Sequence, residues 1–148
     1  MFKVIWITLV GIFVFILYLI ILSIKSRFTC AKRMEHNRLR KCPDSPNCLC
    51  SEYEGERYFT PPVALNGDPE KVRLVLQDVL DEMGGVLQVR EPNYLRAEFT
   101  TNLFRFIDDF EVRLDVPNRC IHIRSASRVG YSDLGANAKR VKRFKRLL

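Results

Sequence analysis

Apolar and polar positions are distributed along this chain in three unlike ways. From Val4 to Ile24 there are 21 consecutive residues without a charge, rich in Ile, Val, Leu and Phe and including Trp6 and Tyr18. At about 1.5 Å per residue, a helix of that length crosses a bilayer core of about 30 Å and satisfies its own peptide groups in lipid. Because it is apolar on every face, it does not read as an amphipathic surface helix. No small-residue cleavage site follows at Leu22-Ser23-Ile24-Lys25, and Cys30 is preceded by Arg27-Phe28-Thr29 rather than by a lipoprotein pattern. The expectation is an uncleaved single-span membrane anchor over residues 1–24. Residues 25–41 are charged and lack apolar periodicity, so they read as a basic juxtamembrane tether.

The third stretch, residues 42–148, carries the periodicities of a folded body. Asp68-Pro69-Glu70 is a helix start, with Asp68 as cap, Pro69 in the first turn and Glu70 at the positive end of the helix dipole. Val72, Val75, Leu76, Val79, Leu80 and Met83 then share one side, and Gly84-Gly85 ends the helix. A short run at Val86–Val89 is followed by three runs of period two, Tyr94–Thr101, Phe104–Val116 and Cys120–Ser127, with turns at Glu91–Asn93 and Val116–Arg119. In Phe104–Val116 the inward set is Phe104, Phe106, Phe110, Val112 and Leu114. A final helix over Leu134–Leu148 places Leu134, Ala138, Val141, Phe144 and Leu148 along a stripe. The predicted fold class is α+β: a transmembrane helix, then a small two-layer domain in which an antiparallel meander packs with one or two helices.

Charge changes this picture in one respect. The net charge of +7 is uneven: residues 25–41 carry +6, residues 136–148 another +6, and residues 42–135 hold ten basic against sixteen acidic side chains. An acidic body with two basic attachments does not suit nucleic acid and suits an anionic membrane surface. Lys139, Arg140, Lys142, Arg143, Lys145 and Arg146 are therefore expected to contact acidic lipid. The basic excess after Ile24 places the body in the cytoplasm by the positive-inside rule. Cys42 and Cys48, bracketing Pro43-Asp44-Ser45-Pro46-Asn47, argue for an exported disulfide instead. With about a hundred residues for the body, a dinucleotide-binding fold, a TIM barrel or a multi-pass transporter is excluded.

Candidate chemistry centres on Asp108, which occupies the apolar phase between Phe106 and Phe110, while Asp109 points away with Glu111 and Arg113. A carboxylate there must be paired or hydrogen-bonded. Ser125, Ser127 and Arg128 are its expected partners, either as a network that fixes strand register or as part of a pocket. Arg124, Arg128 and Tyr131 lie in a segment dense in hydroxyls, guanidinium groups and glycines that can hold an anion; in the structural alternative, Ser132 or Asp133 caps the last helix. His36, Cys42, Cys48 and Cys50 have no zinc-site spacing, so no metal and no cofactor are expected. His122 has only Cys120 beside it as a nucleophile.

Three segments together carry a resemblance: Cys42-Pro-Asp-Ser-Pro-Asn-Cys48, Phe104-Arg-Phe-Ile-Asp-Asp-Phe110 and Arg124-Ser-Ala-Ser-Arg-Val-Gly-Tyr-Ser-Asp-Leu-Gly-Ala-Asn137. In that order they resemble the DUF1499 family over about residues 42–148. The resemblance implies a small domain, often membrane-attached or exported, with no established reaction. Cys50 departs from the family pattern and leaves Cys42 a choice of partner. Two functions are expected to compete. The first is a membrane-anchored accessory module that binds a small molecule or a protein, with its basic flanks on anionic lipid. The second is a membrane-associated enzyme acting on an anionic small molecule through Asp108 with Arg124 or Arg128.

Overall fold

The computed structural model describes residues 2–29 and 31–148. Helix α1, Phe2–Phe28, runs for 27 residues and extends a full turn into the predicted tether. It is the one helix among the described residues that is long and apolar enough to cross a membrane. Its buried residues lie at its polar end. Ser23 and Ser26 are buried, the Ser26 hydroxyl bonds to the Ser23 carbonyl at 2.7 Å, and the Ile107 amide donates to Ser26 Oγ at 3.2 Å.

The body is an antiparallel sheet with helices on one face. Its strands are β1 (Cys48–Cys50), β2 (Val63–Ala64), β3 (Val86–Glu91), β4 (Tyr94–Thr100), β5 (Ile107–Asp115) and β6 (Cys120–Ser127). β3 to β6 form the meander in the order 3-4-5-6, and both β1 and β2 pair with the outer edge of β6. α2 (Pro69–Glu82) begins as its sequence dictates: Asp68 accepts from the Lys71 amide at 3.1 Å, and Gly84 takes φ +85° just beyond the end. Val75 is the one member of its predicted stripe left half exposed. α3 (Ala136–Leu147) starts two residues later than expected, because Leu134 sits in a left-handed turn at φ +53° and points to solvent. Its inward residues are Asn137, Val141 and Phe144, so Ala138 faces out.

The main core lies between the sheet and α2 and α3, and is built from residues such as Leu76, Leu80, Leu95, Phe110, Val112, Ile123 and Phe144. Phe99 and Phe144 flank Phe110 at centroid distances of 5.9 and 4.9 Å. β5 begins at Ile107, not Phe104. Arg105 takes φ +58°, and Thr101 accepts the Phe106 amide, so residues 101–106 form a turn.

The opposite face of the sheet is also covered. Leu39 is fully buried beside Cys50 and Tyr94, with Met34, Cys42 and Tyr53 packed around them. Residues 31–41 are therefore part of the folded body rather than a free tether: Arg38 bonds Glu52 and the Tyr53 hydroxyl donates to the Leu39 carbonyl at 3.0 Å.

Candidate functional site

The alternation of β5 sends its side chains to two different buried environments. On the helix side, Asp108 is 2 % exposed and pairs with Arg140 at 3.0 Å. The partner comes from α3, not from Arg128 as expected. Arg140 also donates to Asn137 Oδ1 at 2.7 Å, and its guanidinium lies 4.7 Å from the centre of the Phe99 ring. Asn137, fully buried, accepts from Ser125 at 2.6 Å and donates to Ser127 at 3.0 Å and to the Asn47 carbonyl at 2.9 Å. One asparagine thus joins β6, α3 and the loop before β1. A buried amide with all these partners holds register, since leaving any of them unpaired carries a desolvation cost.

On the far side lies a ladder of ion pairs. Arg128 grips Asp109 at 2.7 Å and also reaches Glu98. Arg124 pairs with Glu111 at 2.7 Å, and Glu111 accepts from the Tyr94 hydroxyl at 2.8 Å. Arg113 pairs with Glu52 at 2.6 Å and Asp115 at 3.1 Å. Asp109, expected on a solvent face, is 6 % exposed. Burial pushes the Glu52 carboxyl upward, but hydrogen bonds from Arg113, Arg38 and the Leu39 amide outweigh it and hold the group below its ordinary range. Asp108 and the two arginines proposed to work with it therefore occupy opposite faces of the sheet. They share no site.

At the end of this ladder Cys120 Sγ lies 3.3 Å from His122 Nε2, and Asp115 is 3.8 Å from the same nitrogen. These three side chains could be taken for a metal or nucleophile site. The arrangement does not favour an activated nucleophile. Asp115 already accepts from Arg113 and twice from Asn118. Burial, then the Asp115 charge, raise the Cys120 thiol, while burial lowers His122. Both shifts run against a thiolate–imidazolium pair.

The start of α3 is not open to an anion. Asp133 accepts from the amides of Gly135 at 3.0 Å and Asn137 at 2.6 Å, the capping alternative. Tyr131 is exposed. Among the α3 cations, Arg140 is spent on Asp108, and Lys145 donates to Thr60 at 2.9 Å and to the Pro61 carbonyl. Arg143 touches the Glu82 carbonyl but stays exposed, as do Lys139, Lys142 and Arg146.

One feature had no sequence signal. An apolar groove of about 590 Å³ separates the second half of α1 from the loops 101–107 and 129–134. Phe15, Tyr18 and Leu22 form one wall, Phe104, Phe106 and Val129 the other, and Asp108 and Ser127 border it from the buried network. A groove between an N-terminal helix and loops about a hundred residues away leaves no local pattern to read.

The sequence profile of a family described as a protein of unknown function (DUF1499) matches residues 38–148. The chain belongs to the DUF1499 family. Its matched region starts at Arg38, whose pairing to Glu52 opens the folded body, four residues before the boundary expected from the cysteine motif. Comparison with curated proteins found no match. In this DUF1499 domain the Cys42–Cys48 motif is closed as a disulfide, leaving Cys50 as a buried thiol that burial pushes up to about 11.

Proposed function

We propose that this DUF1499 protein is a single-span, membrane-anchored binding module rather than an enzyme. One observation carries the reading. α1 exposes apolar side chains on all sides from Val4 to Ile21, while its charged end is joined to the body through Ser23 and Ser26. A helix so built leaves a large apolar surface in water and none in lipid. Lys25 and Arg27, exposed in its last turn, fall at headgroup level, and the exposed Lys139, Lys142, Arg143 and Arg146 supply further attraction for acidic lipid. The ion pairs that engage Glu52, Asp108, Asp109 and Glu111 support a structural role for these carboxylates.

We further infer that the body faces the exported side. The Cys42–Cys48 disulfide supports an oxidising, exported compartment. Arg33, Arg38, Arg40 and Lys41, four of the basic residues that favour the cytoplasm, form ion pairs at the surface of the folded body. Long domains translocate largely regardless of such charges. The test is alkaline extraction of membranes, followed by reporters fused to Leu148 that act on only one side. Retention in the pellet with an active export-side reporter is expected. Release into the supernatant sinks the anchor; a reporter active only in the cytoplasm reverses the sidedness.

A further inference from the structure

We propose that the groove between α1 and the loops 101–107 and 129–134 holds a hydrocarbon chain of a bilayer phospholipid. The inference rests on the anchored reading, because the groove's position on α1 identifies its occupant. Phe15, Tyr18 and Leu22 line it, and at about 1.5 Å per residue they lie roughly 5–15 Å below Lys25 along the helix axis. Lys25 and Arg27 mark the headgroup level, so this wall stands in the hydrocarbon of the adjacent leaflet. The medium that fills an opening there is lipid.

The opposite wall is made for the same medium. Leu103, Tyr131 and Leu134 are 82 %, 71 % and 91 % exposed at the tips of the two loops. Three large apolar side chains on one edge of an otherwise acidic body are costly in water and suit the acyl boundary. Arg105 and Leu134 both take left-handed backbone conformations, at φ +58° and +53°. These turns are bent into place against local preference. The groove's size falls within the about 300–1,000 Å³ typical of small-ligand clefts, and its lining is mostly apolar. Asp108, Ser127 and Asp133 border it; Asp108 is paired with Arg140, and Asp133 is turned to the backbone amides of Gly135 and Asn137 at the start of α3, so both carboxylates are already engaged.

Tyr18 then acquires a reason. It is too deep for the aromatic belt of a bare helix, yet it lies where the loops of the body reach into the leaflet.

The experiment places the full chain in phosphatidylcholine vesicles doped with a phospholipid carrying a photoactivatable diazirine on one acyl chain, and maps the crosslinks by peptide. Crosslinks are expected on α1 and also on peptides 101–107 and 129–134. The variant Ala136→Phe, which fills the groove from the start of α3, should reduce the loop crosslinks severalfold and leave those on residues 4–13 unchanged. A second variant, Leu134→Trp in a Trp6→Phe background, keeps the test independent of that substitution. Its fluorescence should be quenched by acyl-brominated lipid. Crosslinks on α1 with none on the loops, and no quenching at position 134, overturn the groove while the anchor stands. Loop crosslinks that Ala136→Phe leaves untouched in a folded protein reduce the site to bulk lipid contact and also overturn it. No crosslinks on α1 at all mean that the anchored reading itself is wrong.

Discussion

At the scale of single residues, β5 places two adjacent carboxylates in unrelated settings, and both are buried. Replacing Asp108 with alanine leaves Arg140 inside the protein without its counter-charge, an expected loss of about 3–5 kcal/mol. Asp109→Ala leaves Arg128 with Glu98 as its one remaining partner and should cost less, about 1–3 kcal/mol, still more than the mild effect that strand alternation alone predicts. Urea unfolding of the detergent-solubilised chain, followed by near-ultraviolet circular dichroism, measures both. A paired replacement, Asp108→Leu with Arg140→Met, should recover much of the first loss. Acid adds a second residue-scale test. The folded values of both His122 and Glu52 are depressed, so the unfolded chain binds more protons than the folded one between each folded value and the ordinary one. Stability should therefore be full above the ordinary histidine value of about 6.5 and fall as His122 is forced to charge. It should fall again below the ordinary glutamate value of about 4.3, as Glu52 loses its hold on Arg113 and Arg38. His122→Gln should abolish the first decline in a denaturation series and leave the second.

At the scale of elements, α3 is a structural helix with a basic exterior. Asn137 and Phe144 are fully buried and Arg140 supplies Asp108, so deleting residues 136–148 should unfold the body rather than merely weaken lipid attachment. Asn137→Ala should cost about 1–3 kcal/mol through the partners it leaves unpaired, and Phe144→Ala about 3–5 kcal/mol, both read from unfolding midpoints. What the sequence revealed divides along the same line. Asp68-Pro69-Glu70, Gly84 and the period-two runs announce α2, β4 and β6 because caps and alternation are local chemistry. Phe104 and Phe106 continue the alternation of β5 but belong to a turn, since a positive φ at Arg105 has no signature in a non-glycine residue. The second buried face escaped for a different reason. Glu52 and Arg113 are 61 residues apart, and a charged segment that folds over a charged strand face looks like two solvated stretches when each is read alone. Arg140 was hidden similarly, as one cation among six.

At the scale of the whole molecule, α1 and the body are joined by geometry as well as by covalent chain. The Ile107 amide, at the start of β5, is satisfied by Ser26 of α1 rather than by a strand neighbour. Ser26→Ala should raise the hydrogen-exchange rate of that amide in the full chain, with little change at Val112 in the middle of the same strand. A faster exchange spread evenly over the sheet would mean that the bond merely adds stability and does not set the angle between the two parts. If the joint is rigid, the body is no tethered ball sampling a hemisphere. It has a fixed height and tilt, and only a short reach. In the anchored reading proposed above, whatever it meets comes to it along the plane of the bilayer, a search in two dimensions in which small lateral encounters replace capture from solution.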